Sequence, residues 1–297
     1  MIDFKKIGLE DRGLITPYLF MQKERDCNLS FVNLYTWQFL SGSSFAVVND
    51  CLTIRFDHLK EHTICLMLVG TGDKHPIVVE EEEQALSKGC KMRIYGVFPD
   101  LGEWLDREFP GRFTYHNHRD YFDYIYLRQD LIELRGKDYQ PKRNHVNKFR
   151  KTYDYTYKPL TKDLIPHCLE LEEKWCIEHN CEESESLGNE RKALTRALHH
   201  FDELELYGGT IWVDGEIVAF TYGSPITKDT FDIHIEKANF HIEGSYNIIN
   251  QEFASHIPEQ YIYINREEDL GIPGLRKSKL SYRPITLLEK GYAELIG

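Results

Sequence analysis

No stretch of this 297-residue chain approaches the roughly 18 to 20 uninterrupted apolar residues that a membrane-spanning helix requires. Its opening, MIDFKKIGLEDRG, also lacks the apolar block of a secretory signal. An integral membrane segment is therefore not expected, and a cytoplasmic location is. Cysteine is sparse: seven residues, at 27, 51, 65, 90, 168, 176 and 181, an odd number with no C-x-x-C among them. That spacing argues against a disulfide framework and against a zinc ribbon, so the thiols are expected reduced and mostly buried, and no metal is expected. The P-loop, the G-x-S-x-G elbow and the dinucleotide fingerprint are missing as well, which removes three common enzyme classes. Basic residues are outnumbered, 36 against 48 acidic, for a net charge of −12. An acidic chain repels polyanions such as DNA or an anionic membrane, so any nucleic-acid contact must come from a local patch.

What is present is a globular composition, 41% apolar and 28% charged, long enough for one large core or two ordinary ones. Short β-type runs, SSFAVVND, CLTIRF and TICLMLVG, are separated by turn residues such as Asn49-Asp50 and predict an antiparallel meander. HPIVVEEEEQALSKG predicts a helix closed by a glycine cap, KMRIYGV a strand, PDLGEWLDREFP a helix, and RFTYHNHRDYFDYIYL a long strand or hairpin. The second half repeats this order. Two amphipathic helical stretches, TKDLIPHCLELEEKWCIEHN and GNERKALTRALHHFDEL, precede GGTIWVDG and EIVAFTYGSPIT, whose Asp214-Gly215 pair is the sharpest hairpin signal in the chain. DTFDIHIEKAN adds a third strand, GSYNIINQEFASHIP a helix, YIYINRE a strand, GIPGLRKSKLSY a short helix, and RPITLLEKGYAEL a closing strand. Two domains are expected, residues 1–135 and 136–297, each a mixed α/β sheet flanked by helices, because a helix between two strands of one sheet is a parallel crossover.

Against the acidic average, the stretch from Arg135 to Lys151 carries seven Lys or Arg residues and a single acid, Asp138. With Pro141 at the first helical position, Val146, Phe149 and Tyr153 fall on one buried face, while Arg143 and Arg150 share a flank a heptad apart. Two guanidinium forks so placed suit phosphate, although a merely solvated helix has the same pattern.

The order of three antiparallel strands, helix, strand, helix, strand resembles the acyltransferase fold of the GNAT superfamily, in which two core strands splay apart and the acyl donor lies in the gap against a helix N-terminus. More specifically, DLIELRGKDYQPKRNHVNKFRK, IEKANFHIEGSYNIIN and YINREEDLGIPGLRKSKLSYRP resemble the phosphatidylglycerol lysyltransferase C-terminal domain family, and more distantly the Fem-type aminoacyltransferases. The resemblance implies a tandem GNAT-like fold and transfer of an aminoacyl group from aminoacyl-tRNA. Lipid-modifying members carry a long membrane-spanning region, for which this sequence offers no segment. A CoA donor would be expected to bring a Gln or Arg followed by x-x-Gly-x-Gly or Ala; Met67-x-x-Gly70-x-Gly72 lacks the first residue, and His241-x-x-Gly244-x-Tyr246 ends on a tyrosine.

The candidate site follows from these blocks. Lys142, Arg143, Asn144, Asn147 and Arg150 of the basic helix, with Arg276 and Lys277 of the C-terminal block, are the donor-binding candidates, for a tRNA 3′ end or a CoA-type donor. Strand alternation puts Asp232, His234 and Glu236 on one face. Glu236 and Glu267 are the candidate bases, Tyr282 a candidate proton donor alongside Tyr246, and His234, Glu268 and Asp269 candidates for holding the acceptor or an ammonium group. Each has a plainer reading, an exposed sheet face for the strand residues and a helix cap for Asp269. The expected activity is acyl transfer, most specifically aminoacyl transfer to an amine or hydroxyl of a small molecule or peptide. CoA-dependent N-acetylation and a non-catalytic RNA-binding role are the alternatives.

Overall fold

In the computed structural model, residues 1–58 and 62–296 are described, and they fall into two compact units, Met1–Asp123 with Leu288–Gly297 and Tyr124–Leu287. The strands are β1 (Lys5–Lys6), β2 (Ser44–Val48), β3 (Cys51–His58), β4 (Thr63–Gly70), β5 (Lys91–Tyr95), β6 (Phe113–Asn117), β7 (Asp123–Leu127), β8 (Tyr155–Pro159), β9 (Tyr207–Val213), β10 (Glu216–Pro225), β11 (Thr230–Ala238), β12 (Tyr263–Asn265), β13 (Thr286–Leu288) and β14 (Gly291–Leu295). The helices are α1 (Arg12–Leu19), α2 (Phe31–Thr36), α3 (Gln38–Ser41), α4 (His75–Lys88), α5 (Pro99–Glu108), α6 (Arg128–Glu133), α7 (Gln140–Thr152), α8 (Ile165–Glu178), α9 (Glu185–His199), α10 (Ser245–His256) and α11 (Pro273–Leu280).

The first unit carries one sheet in the order β1-β2-β3-β4-β5-β14-β6. Its meander forms as the turn chemistry dictates: Asn49 and Asp50 both take positive φ, and Val48 pairs with Cys51, the two-residue hairpin whose twist matches the strands. β4 is buried along nearly its whole length, as a central strand covered on both faces must be. α4 ends at Gly89 in the left-handed conformation, where glycine alone has no Cβ to strain, and leads into β5, parallel to β4.

The second unit carries the order β13-β7-β12-β11-β10-β9-β8. Asp214 and Gly215, φ +51° and +84°, close the β9–β10 hairpin with Val213 opposite Glu216. β11 runs parallel to β12, pairing through Thr230–Asp232 with Tyr263–Asn265; β12 ends there, and the six remaining residues of β11 have no partner in it. α10 packs across β9, β10 and β11, and α8 against β10 and β11.

Four expectations change. The division falls at 123/124, not 135/136, because β7 belongs to the second sheet and the last strand returns to the first. RFTYHNHRDYFDYIYL is neither one strand nor a hairpin: β6 and β7 lie in different sheets, as do β13 and β14 of the closing segment. The first helical residue of α7 is Gln140, with Pro141 next. Finally, Cys176 and Cys181 are disulfide-bonded, since the end of α8 folds back through a short turn that brings the two together; Cys27, Cys51, Cys65, Cys90 and Cys168 are free thiols, all but Cys90 buried.

Candidate active site

β11 does not alternate throughout. Tyr222 of β10 faces Ile235 while the next residue, Gly223, faces Ile233, so His234 is an inserted residue and the alternation resets after it. Gly223 permits the close approach: a Cβ there would lie 2.0 Å from the carbonyl oxygen of Asp232. The consequence for function is direct. Asp232 and His234 stay on one side of the sheet, whereas Glu236 turns to the other, toward α10, and the three residues expected on one face are divided.

On the α10 side a polar network joins β11 to the segment that follows β12. Arg266, the first residue after β12, donates from Nη2 to Glu236 Oε1 at 3.1 Å, both side chains being only 11% exposed. Asn250 of α10 donates to the other carboxylate oxygen, Oε2, at 3.1 Å, which fixes its amide orientation because a carboxylate only accepts. Tyr282 lies beneath: its ring centroid is 5.0 Å from the Arg266 guanidinium and 4.0 Å from Lys142 Nζ, and its hydroxyl accepts from Asn247 Nδ2 at 2.7 Å. Burial raises the Tyr282 phenol well above its ordinary range, so it stays protonated. Burial, reinforced by the Arg266 charge, lowers the Lys142 ammonium to about 8. Two groups remain open at the centre of this network. Arg266 Nη1 and Asn250 Oδ1 are buried and find no hydrogen-bond partner among the described residues.

Of the expected site residues, the fold thus brings together Lys142, Glu236 and Tyr282, and adds Arg266, Asn247 and Asn250, which the sequence reading missed. Arg266 was signalled only by being a cation directly after a core strand. His234 and Glu267 meet on the other side of the sheet, with Nδ1 to Oε1 at 3.1 Å. The Arg143 and Arg150 clamp does not form. Arg143 donates to the carbonyls of Leu134 and, at 2.6 Å, Gly136, while Arg150 holds Glu252 at 2.9 Å and Tyr155 at 3.2 Å. Asn144, Asn147 and Lys277 are exposed. Arg276 grips Asp269 with both arms of its fork, at 2.8 and 2.7 Å. Burial opposes charge on Asp269, but Arg276, the Tyr124 hydroxyl at 2.5 Å and the Gly271 amide at 2.9 Å outweigh it and hold the carboxyl below its usual range. Asp269 therefore anchors the loop, and Glu268 lends its carbonyl to Lys279 at 2.5 Å. Tyr246, at the start of α10, accepts from Trp175 at 3.0 Å.

The sequence profile of the family described as phosphatidylglycerol lysyltransferase, C-terminal, matches residues 21–293. The chain belongs to that family. A conserved protein of unknown function from Bacteroides thetaiotaomicron is 49% identical, with all of each chain covered and a TM-score of 0.94. The C-terminal domain of a putative lysylphosphatidylglycerol synthetase from Agrobacterium fabrum shares the fold at 15% identity, with 97% and 92% of the chains covered and a TM-score of 0.68. FemX does so at 9% identity, 99% and 98% coverage and a TM-score of 0.61. An uncharacterized protein of Mycoplasmoides gallisepticum is 25% identical over 60% of this chain, which spans 58% of that protein. The fold is a tandem GNAT-like one, and the family is acyltransferase-like. No described helix is long and apolar enough to cross a membrane.

Proposed function

We propose that this chain is an aminoacyltransferase that takes its group from the 3′ end of an aminoacyl-tRNA and passes it to an amine or hydroxyl acceptor. The observation that carries this reading is the pair of open groups flanking Glu236. Arg266 Nη1 is a donor that needs an acceptor, and Asn250 Oδ1 an acceptor that needs a donor. An α-aminoacyl ester brings both, a carbonyl oxygen and an ammonium, on adjacent carbons; a simple acetyl thioester brings only the first. In this reading Arg266 stabilises the oxyanion as it forms, the ammonium lies between Asn250 and Glu236, and Glu236 accepts the proton lost by the attacking acceptor. Lys142, whose lowered pKa makes it a stronger acid, protonates the departing ribose oxygen. Glu236 retains lone pairs for this although each of its oxygens already accepts one bond.

The test is transfer of a labelled amino acid from charged tRNA to a panel of amine and hydroxyl acceptors, with thermal stabilisation by a non-hydrolysable aminoacyl-adenosine measured in parallel. Loss of a general acid or base lowers the rate by about 10²- to 10⁴-fold, so Glu236→Gln and Lys142→Met should each fall by that factor while remaining folded. Stabilisation by acetyl-CoA without any by the aminoacyl-adenosine would overturn the donor assignment. Salt-sensitive RNA binding with no activity for Glu236→Gln to affect would mark the chain as a binding protein.

A further inference from the structure

The opposite side of the β11 insertion holds a second constellation that the transfer reading does not use. Register explains its assembly: Asp232 pairs with Asn265 across the parallel strands, so His234 and Glu267, two residues further along each, come to lie side by side. His234 Nδ1 is 3.1 Å from Glu267 Oε1 and 3.5 Å from Asp232 Oδ2, and one ligand atom from each of the three residues falls within 4.8 Å of the others. The other ring nitrogen, Nε2, is 2.8 Å from Ser224 Oγ. The side chains of His234 and Asp232 are 4% and 0% exposed, that of Glu267 23%.

We propose that Asp232, His234 and Glu267 form a binding site for a divalent transition-metal ion of the zinc type. Four ligands at about 2.0–2.2 Å in a tetrahedron stand roughly 3.3–3.6 Å from one another; of the two distances from Nδ1, 3.5 Å falls within that spacing and 3.1 Å just short of it. One imidazole nitrogen with two carboxylates is a donor set such ions accept. Ser224 can supply the outer contact that ligating histidines usually have: with an ion bound, its hydroxyl accepts from Nε2–H and the Nδ1 lone pair turns to the metal beside the two carboxylates. Glu267, with its side chain 23% exposed, gives the trio access to solvent, from which a water can complete the set. The contrast with Asp26, Cys27 and Asp123 in the first unit is instructive. That trio also has metal-ligand chemistry, but Lys290 Nζ already sits among it, 2.7 Å from Asp123, 3.3 Å from Asp26 and 3.5 Å from the Cys27 sulfur. Its cation is a side chain, whereas the second trio includes a histidine, a residue that ligates metal when neutral.

The test uses the full chain stripped with a chelator and titrated with ZnCl2, with CoCl2 as the spectroscopic substitute; no acyl donor is present, so its outcome is independent of the transfer reading. One equivalent of zinc should remain after gel filtration, and cobalt should give the visible absorption of a four-coordinate site. His234→Ala and Glu267→Gln should abolish both signals, Ser224→Ala should weaken zinc affinity about 10- to 100-fold, and His241→Ala, at an exposed histidine, should change neither. Glu267→Gln alters a loop side chain and keeps the test decisive should His234→Ala misfold. Absence of stoichiometric zinc in the parent chain, or zinc retained in Glu267→Gln with an unchanged cobalt spectrum, overturns the proposal.

Discussion

Lys142 shows how much a single position can be changed by its surroundings. In a run of seven cations it looks like any other, yet it alone among the basic residues of α7 lies over the Tyr282 ring and faces Arg266, and its ammonium is lowered to about 8. The sign of the resulting pH dependence is fixed. The protonated form that would serve as acid persists below about 8 and is lost above it, so transfer should decline as pH rises through that value. Lys142→Arg should carry the falling limb to higher pH, and Lys142→Met should remove it; a pH–rate profile of kcat/KM measures both. Stability responds in the other direction. The folded chain binds fewer protons at this position than the unfolded chain between about 8 and the ordinary 10.5, so the Lys142 contribution to stability grows with pH across that window. A rate profile that stays flat to high pH would remove Lys142 from the proton path.

At the scale of elements, helix α7 was read correctly in its apolar face and wrongly in its charged one, and the reason is physical. Val146 and Phe149 are buried, and Tyr153 packs against the same core, because 3.6-residue periodicity is a local property that the chain carries in its own order. The partners of the charges are not local: Glu243 and Glu252, which hold Lys148 and Arg150, lie about a hundred residues away in the chain. Most strands were legible for the same reason, though not β1 or β8, whereas sheet membership of β6 and β7, or of β13 and β14, was not. The insertion at His234 belongs to this class, since it exists only against β10 and no pattern within FDIHIEKA announces it. Glu236 and Tyr282 stand out in sequence only as one carboxylate on a strand and one tyrosine among 18; that they share a network with Asn250 and Arg266 depends on contacts between segments that no local pattern carries. The charged face of α7 now supports an expectation about stability. Arg143 satisfies carbonyls where the chain leaves α6, one partly buried and one exposed, and hydrogen bonds of that kind contribute about 0.5–1.5 kcal/mol. Arg143→Met should therefore lower the urea midpoint by a corresponding amount while leaving affinity for the aminoacyl-adenosine within about twofold. Lost affinity at unchanged stability would restore Arg143 to the donor site.

For the molecule as a whole, the net charge of −12 conceals the meeting of two cations, Arg266 and Lys142, over one ring, that of Tyr282, and the two units share an architecture that sequence order alone suggested. Their division is not a single cut, because β14 leaves the second unit and lies between β5 and β6 of the first. It pairs with both, Tyr292 with Tyr95 and His116, Ala293 with Ile94 and Tyr115, and Glu294 fixes its register through Arg93 at 2.7 Å and Lys91 at 3.2 Å. Ala293 is fully buried. A strand so placed closes two edges at once, and its removal leaves two rows of backbone groups unpaired. Truncation after Leu288 should consequently abolish hydrogen-exchange protection in Phe113–Asn117 and lower it in Lys91–Tyr95, which keeps β4 on its other side, while leaving Thr230–Ala238 protected, because β11 takes its partners from β10 and β12. Protection lost equally in all three segments would mean that the two units unfold as one cooperative body. Protection retained in all three would mean that β5 and β6 close on one another without β14.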